Sequence, residues 1–64
     1  MKVKEGSRVR LLVETTGIEG TVVPAGTVGT VVDDAHAPDE YAVDVKVDGQ
    51  FDNVAVTGGQ VEPV

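Results

Sequence analysis

The segment Tyr41-Ala42-Val43-Asp44-Val45-Lys46-Val47 alternates large apolar with polar or small side chains without a break, and Asp48-Gly49 follows it directly. A period of two belongs to a strand with one buried face, because successive side chains of extended backbone point to opposite sides. Asp-Gly tolerates positive φ at both central positions of a type I′ turn, the connection whose twist suits two antiparallel strands. These residues therefore predict a strand over 41–47 that folds back onto a second strand over 50–56. An isolated hairpin does not hold in water, so its apolar face must meet further strands. The chain supplies fifteen Val against two Leu, one Ile, one Phe and one Tyr. Val loses χ1 freedom in a helix but fits a pleated, half-buried surface, so the rest of the chain is expected to be β as well.

Ser7–Val13 predicts a first strand with Val9, Leu11 and Val13 on one face and Arg8, Arg10 and Leu12 on the other. From Glu14 to Gly26 the breakers Gly17, Gly20, Pro24 and Gly26 predict a long excursion with a short extended piece at 21–23. A strand over 27–33 carries Gly29 in its interior, which predicts either a bulge or a close backbone approach. The residues 34–40 predict an exposed charged turn. Residues 57–60 predict a tight turn or a single 3₁₀ turn before a last short strand over 61–64, where Pro63 confines the pairing to an edge or a closing seam. Five short strands in this order, in one domain spanning 1–64, predict an all-β, five-stranded SH3-like barrel. An oligonucleotide-binding barrel wants a helix between its third and fourth strands, and Asp48-Gly49 leaves no space for one.

Three stretches carry a resemblance: Lys4-Glu5-Gly6-Ser7-Arg8-Val9-Arg10-Leu11-Leu12, Ala25-Gly26-Thr27-Val28-Gly29-Thr30-Val31-Val32, and Val54 through Val64. Together they resemble a family of short, uncharacterised bacterial SH3-like proteins that pair a V-R-L-L first strand with a G-x-x-G-T-V second strand. The same skeleton is similar to the stromal E subunit of photosystem I, and through Gly26, Gly29 and Val31 to KOW-type domains of ribosomal and transcription proteins. The resemblance implies a small barrel that docks on a larger partner as an accessory module.

Charge and size bound the function. With 64 residues, folding buries only about 60% of the surface the unfolded chain exposes, so a deep catalytic cleft is not expected. No Cys is present, which removes disulfides, thiolate metal sites and thiol nucleophiles, and fits a cytoplasmic setting. No apolar run of membrane-spanning length occurs and no leader is read. The formal net charge of −6, from five Lys+Arg against eleven Asp+Glu, opposes binding to nucleic acid, whose affinity for proteins comes largely from neutralised phosphates. Tyr41 and Phe51 are the only aromatics, too few for a base-stacking platform or for the aromatic groove that reads proline-rich peptides.

Hydroxyls lack a credible base, so no enzyme activity and no cofactor are expected. Asp33-Asp34-Ala35-His36-Ala37-Pro38-Asp39-Glu40 gathers four carboxylates and the single His, but its spacing does not match a calcium loop, and the expectation is a solvated turn without a metal. The three Gly-Thr-Val copies at Gly20, Gly26 and Gly29 read as strand starts, not as a phosphate loop. The leading expectation is a non-catalytic protein-binding module, monomeric or homodimeric, with Arg8, Arg10, Glu14, Ile18, Glu19, Asp34, His36, Asp39 and Tyr41 as candidate contact residues. Two alternatives stand beside it: a KOW-like domain touching RNA or the ribosome through Lys2, Lys4, Arg8 and Arg10, and a structural subunit of a heteromeric enzyme.

Overall fold

A computed structural model describes residues 4–33 and 39–64. The elements run β1 (Arg8–Leu11), β2 (Thr15–Thr16), β3 (Val22–Val23), β4 (Val28–Asp33), β5 (Glu40–Val47), β6 (Gln50–Thr57), a 3₁₀ turn (Gly58–Gln60) and β7 (Val61–Pro63). Five of the strands form one antiparallel sheet in the order β6-β5-β4-β1-β7, and β2 and β3 form a separate two-stranded ribbon. No α-helix occurs among the described residues.

The hairpin predicted from alternation is present. Val47 pairs with Gln50, and Asp48 and Gly49 have φ of 49° and 80°, both in the left-handed region a type I′ turn requires. Eight residue pairs follow in unbroken register from Val47↔Gln50 to Glu40↔Thr57. Tyr41, Val43 and Val45 of β5 and Val54 and Val56 of β6 are buried, joined by Val9 and Leu11 of β1, Val23 of β3, Val31 of β4 and Val61 of β7. Every strand except β2 sends at least one aliphatic or aromatic side chain into this core.

Two expectations are corrected, and one that held two alternatives is decided. The first strand stops at Leu11 and does not reach Val13: the Leu12 N–H donates to the Gln60 carbonyl at 2.8 Å, and the chain bends away with Leu12 and Val13 exposed. The bulge in β4 lies after Val31, where the register with β5 jumps from Val31↔Val43 to Asp33↔Ala42, and not at Gly29. Gly29 answers the other expectation, a close approach. A Cβ built there would stand 2.5 Å from the Asp44 carbonyl oxygen and 2.8 Å from methyls of both Val43 and Val45. Finally, the 14–26 excursion holds two paired strands where a single extended piece was expected.

Pro63 sits in β7 at the sheet edge, as its missing N–H demands. The 3₁₀ turn forms where expected, with the Gln60 side-chain oxygen accepting the Thr57 N–H at 2.9 Å.

Candidate functional site

The ribbon is the part of the molecule the sequence left least determined. Gly17 closes it at both ends of a three-residue loop: its N–H donates to Thr21 O at 2.8 Å and its carbonyl accepts from Gly20 N at 3.0 Å. Gly20 has φ of 92°, so the loop is a turn closed by a glycine bulge. A second turn returns the chain to the sheet. Thr27 donates through both its N–H and its hydroxyl to Pro24 O, and Gly26 at φ 93° takes the left-handed position.

Val23 anchors the ribbon in the core, and its tip is held by one side chain, Asp52. It lies on the inward face of β6, in line with Val54 and Val56, and is the one buried charged residue among those described. Its carboxylate accepts the Glu19 N–H on one oxygen and the Thr21 N–H on the other, both at 3.1 Å, and the Asn53 N–H at 2.7 Å. The ribbon tip is thus wrapped around the carboxylate, and the Ile18 N–H adds a backbone bond to Asn53 O at 2.9 Å. Gly17 is buried directly against the Asp52 carboxyl group, where any Cβ would overlap it. Burial pushes the Asp52 carboxyl up, but the N–H donors of Asn53, Glu19 and Thr21 and the Thr21 side chain together outweigh it and hold the group below its ordinary value. No buried side-chain polar atom among the described residues lacks a hydrogen-bond partner.

The candidate contact residues divide around this clamp. Ile18 and Glu19 stand together at the ribbon tip, both exposed, and Glu14 is exposed at the ribbon's foot. Arg8 and Arg10 lie on the outer side of β1, where Arg10 faces Glu62 in the β1–β7 register and pairs with it at 3.4 Å. Asp39, in the left-handed region at φ 62°, accepts the Gly58 N–H at 3.1 Å and so ties the start of β5 to the 3₁₀ turn. Tyr41 corrects its expected role: its position on the apolar face of β5 places it in the core, leaving it no contact surface. Asp34 and His36 lie outside the described residues, as does most of the charged 33–40 turn.

Sequence reasoning missed Asp52, Gly17 and Phe51. For Asp52 a signal existed, because an acidic residue at the inward parity of a strand, shared with Val54 and Val56, has no place there without donors waiting for it. Phe51 is exposed on the opposite face of β6, with the Lys46 ammonium 5.2 Å from its ring centroid across the hairpin.

Among the described residues no group of three or more His, Cys, Asp or Glu is placed to hold a metal ion, and no helix is long and apolar enough to cross a membrane. Comparison of the chain with protein-family models, curated proteins and solved structures finds no match.

Proposed function

We propose that this chain is an SH3-like barrel serving as a non-catalytic accessory module that binds a basic partner protein. The strand order, the type I′ hairpin between β5 and β6 and the 3₁₀ turn before β7 support the barrel reading, and so does the ribbon that reaches from the end of β1 to the free edge of β6.

The observation that carries the function is the ribbon itself. A domain this small has little stabilisation to spare, yet it buries a carboxylate to fix an otherwise irregular loop whose tip points only exposed side chains at solvent. Loops held rigid by a scaffold are where binding residues concentrate. The net charge of −6 selects a basic partner surface over nucleic acid or an anionic membrane.

Affinity capture from the native host with the tagged chain tests this. A stoichiometric, salt-sensitive protein partner is expected. Micromolar binding to single-stranded RNA that weakens steeply with salt would replace the reading with a KOW-like one. Turnover of any substrate by the isolated chain would refute it.

A further inference from the structure

Ile18 and Phe51, at 77% and 67% exposure, are the two most exposed large apolar side chains among the described residues, with Val64 at the chain end at 66% and Val22 at 57% next. Scattered exposed aliphatics are ordinary, but neighbouring ones on one side of a domain need a reason. The backbone sets the ribbon tip beside the strand that carries Phe51. Gly17 packs against the Asp52 carboxyl group, and Phe51, next to Asp52 in β6, turns to the opposite face of the strand by alternation, while Ile18 stands exposed in the ribbon's turn. The bond from Ile18 N to Asn53 O sets Ile18 beside β6 at Asn53, two residues along the strand from Phe51. Val22 pairs with Thr16 on the ribbon and points away from the core that its neighbour Val23 enters.

The charge around them is one-sided. Glu14 and Glu19 on the ribbon, Asp44 opposite Asn53 and Asp48 in the hairpin turn are all exposed carboxylates, and Lys46 is the one Lys or Arg within the ribbon (14–26) and the β5–β6 hairpin (40–57). A second copy of this chain would bring another −6 to the contact, and RNA and anionic lipid would be repelled in the same way. The Lys46 ammonium over the Phe51 ring shows the ring face already in use by a cation, in a position where a planar guanidinium stacks better.

We propose that Ile18, Val22 and Phe51 form one docking surface for an arginine-bearing aliphatic segment of a partner protein, with the arginine displacing Lys46 from Phe51. This rests on the module reading above and assigns it a face and a partner chemistry.

The test is an amide chemical-shift titration of the full chain with an end-capped Arg-Leu repeat hexapeptide, beside an Arg-Ser hexapeptide of equal charge. The leucine peptide is expected to bind at least tenfold more tightly and to shift residues 17–22 and 51–53. The double variant Ile18→Ser/Phe51→Ser should abolish the difference between the peptides, and Lys46→Ala should tighten binding about twofold or more. All three positions are exposed, and an unchanged amide spectrum away from the sites verifies the fold. Equal affinity for the two peptides, shifts centred on Arg8 and Arg10, or binding weakened by Lys46→Ala would each overturn the proposal. So would a wild-type dimer in sedimentation that the double variant dissolves. If the double variant captures the same host partner as the wild type, the docking face is wrong and the module reading survives; if the wild type captures none, that reading falls too.

Discussion

The five-stranded sheet and the two-stranded ribbon are built from the same kinds of residue and are held by different physics. In the sheet, aliphatic side chains from β1, β4, β5, β6 and β7 close on one another, and the stabilisation is spread over many contacts of which none is indispensable in kind. The ribbon contributes one buried aliphatic, Val23, and is otherwise fixed by hydrogen bonds that converge on the carboxylate of Asp52 and on Asn53 O. Dispersed apolar burial is graded, each side chain removed costing in proportion to what it buried. A polar clamp is specific about geometry, because an N–H left without its acceptor in a partly buried site loses its water and gains nothing.

The sharpest way to break the comparison is to attack the sheet. Leu11→Ala removes one of the largest buried side chains and should cost about 2–5 kcal/mol, comparable with everything a domain of this size holds. Loss of the cooperative thermal transition in circular dichroism is expected, whereas a retained transition within a few degrees of wild type would mean the core is not where the stability lies. Gly29→Val comes next. Its side chain would have to displace the Asp44 carbonyl and both Val43 and Val45, so a loss of about 1–3 kcal/mol or more should appear in a denaturant titration.

Acid should separate the two regions. Because the folded-state value of Asp52 lies below its unfolded one, its contribution is complete above the ordinary aspartate range and is lost as pH falls through the folded value. The ribbon should therefore loosen below about pH 4 while the sheet persists, and Asp52→Asn should remove that portion of the acid dependence. Amide exchange or chemical shifts of residues 17–22 followed from pH 7 to pH 2 would reveal it. The smallest effect belongs to the half-exposed Arg10–Glu62 pair, where Arg10→Ala should cost about 0–1 kcal/mol and less in high salt.

The same division explains what could be read from the sequence. Alternation in 41–47 and the Asp48-Gly49 turn are local signals, and the β5–β6 hairpin follows from them, extended by the one pair Glu40↔Thr57 at its open end. Gly29 in a strand interior announced a bulge or a close approach, and the packing of β5 over it decides for the approach. The ribbon was not legible, since its partner lies far along the chain: Thr21 and Glu19 meet Asp52 across more than thirty residues, and no period or turn residue encodes that meeting. The bulge after Val31 was equally hidden, because register against β5 is settled by packing on both faces. Tyr41 was counted as a contact residue for its chemistry although its parity with Val43 and Val45 already pointed inward. Ile18 and Glu19 do stand exposed together; that the ribbon tip lies beside β6, the strand of Phe51, is seen only in the bond from Ile18 N to Asn53 O.

Native-state hydrogen exchange on wild type and Asp52→Asn tests the central claim most directly. With the clamp removed, the amides of Glu19 and Thr21 should exchange at least tenfold faster, while those of Val43 and Val54 in the sheet keep nearly their wild-type protection. Equal acceleration in ribbon and sheet, or unchanged protection at Glu19 and Thr21, would contradict the account, because the ribbon would then be held by the same packing as the core.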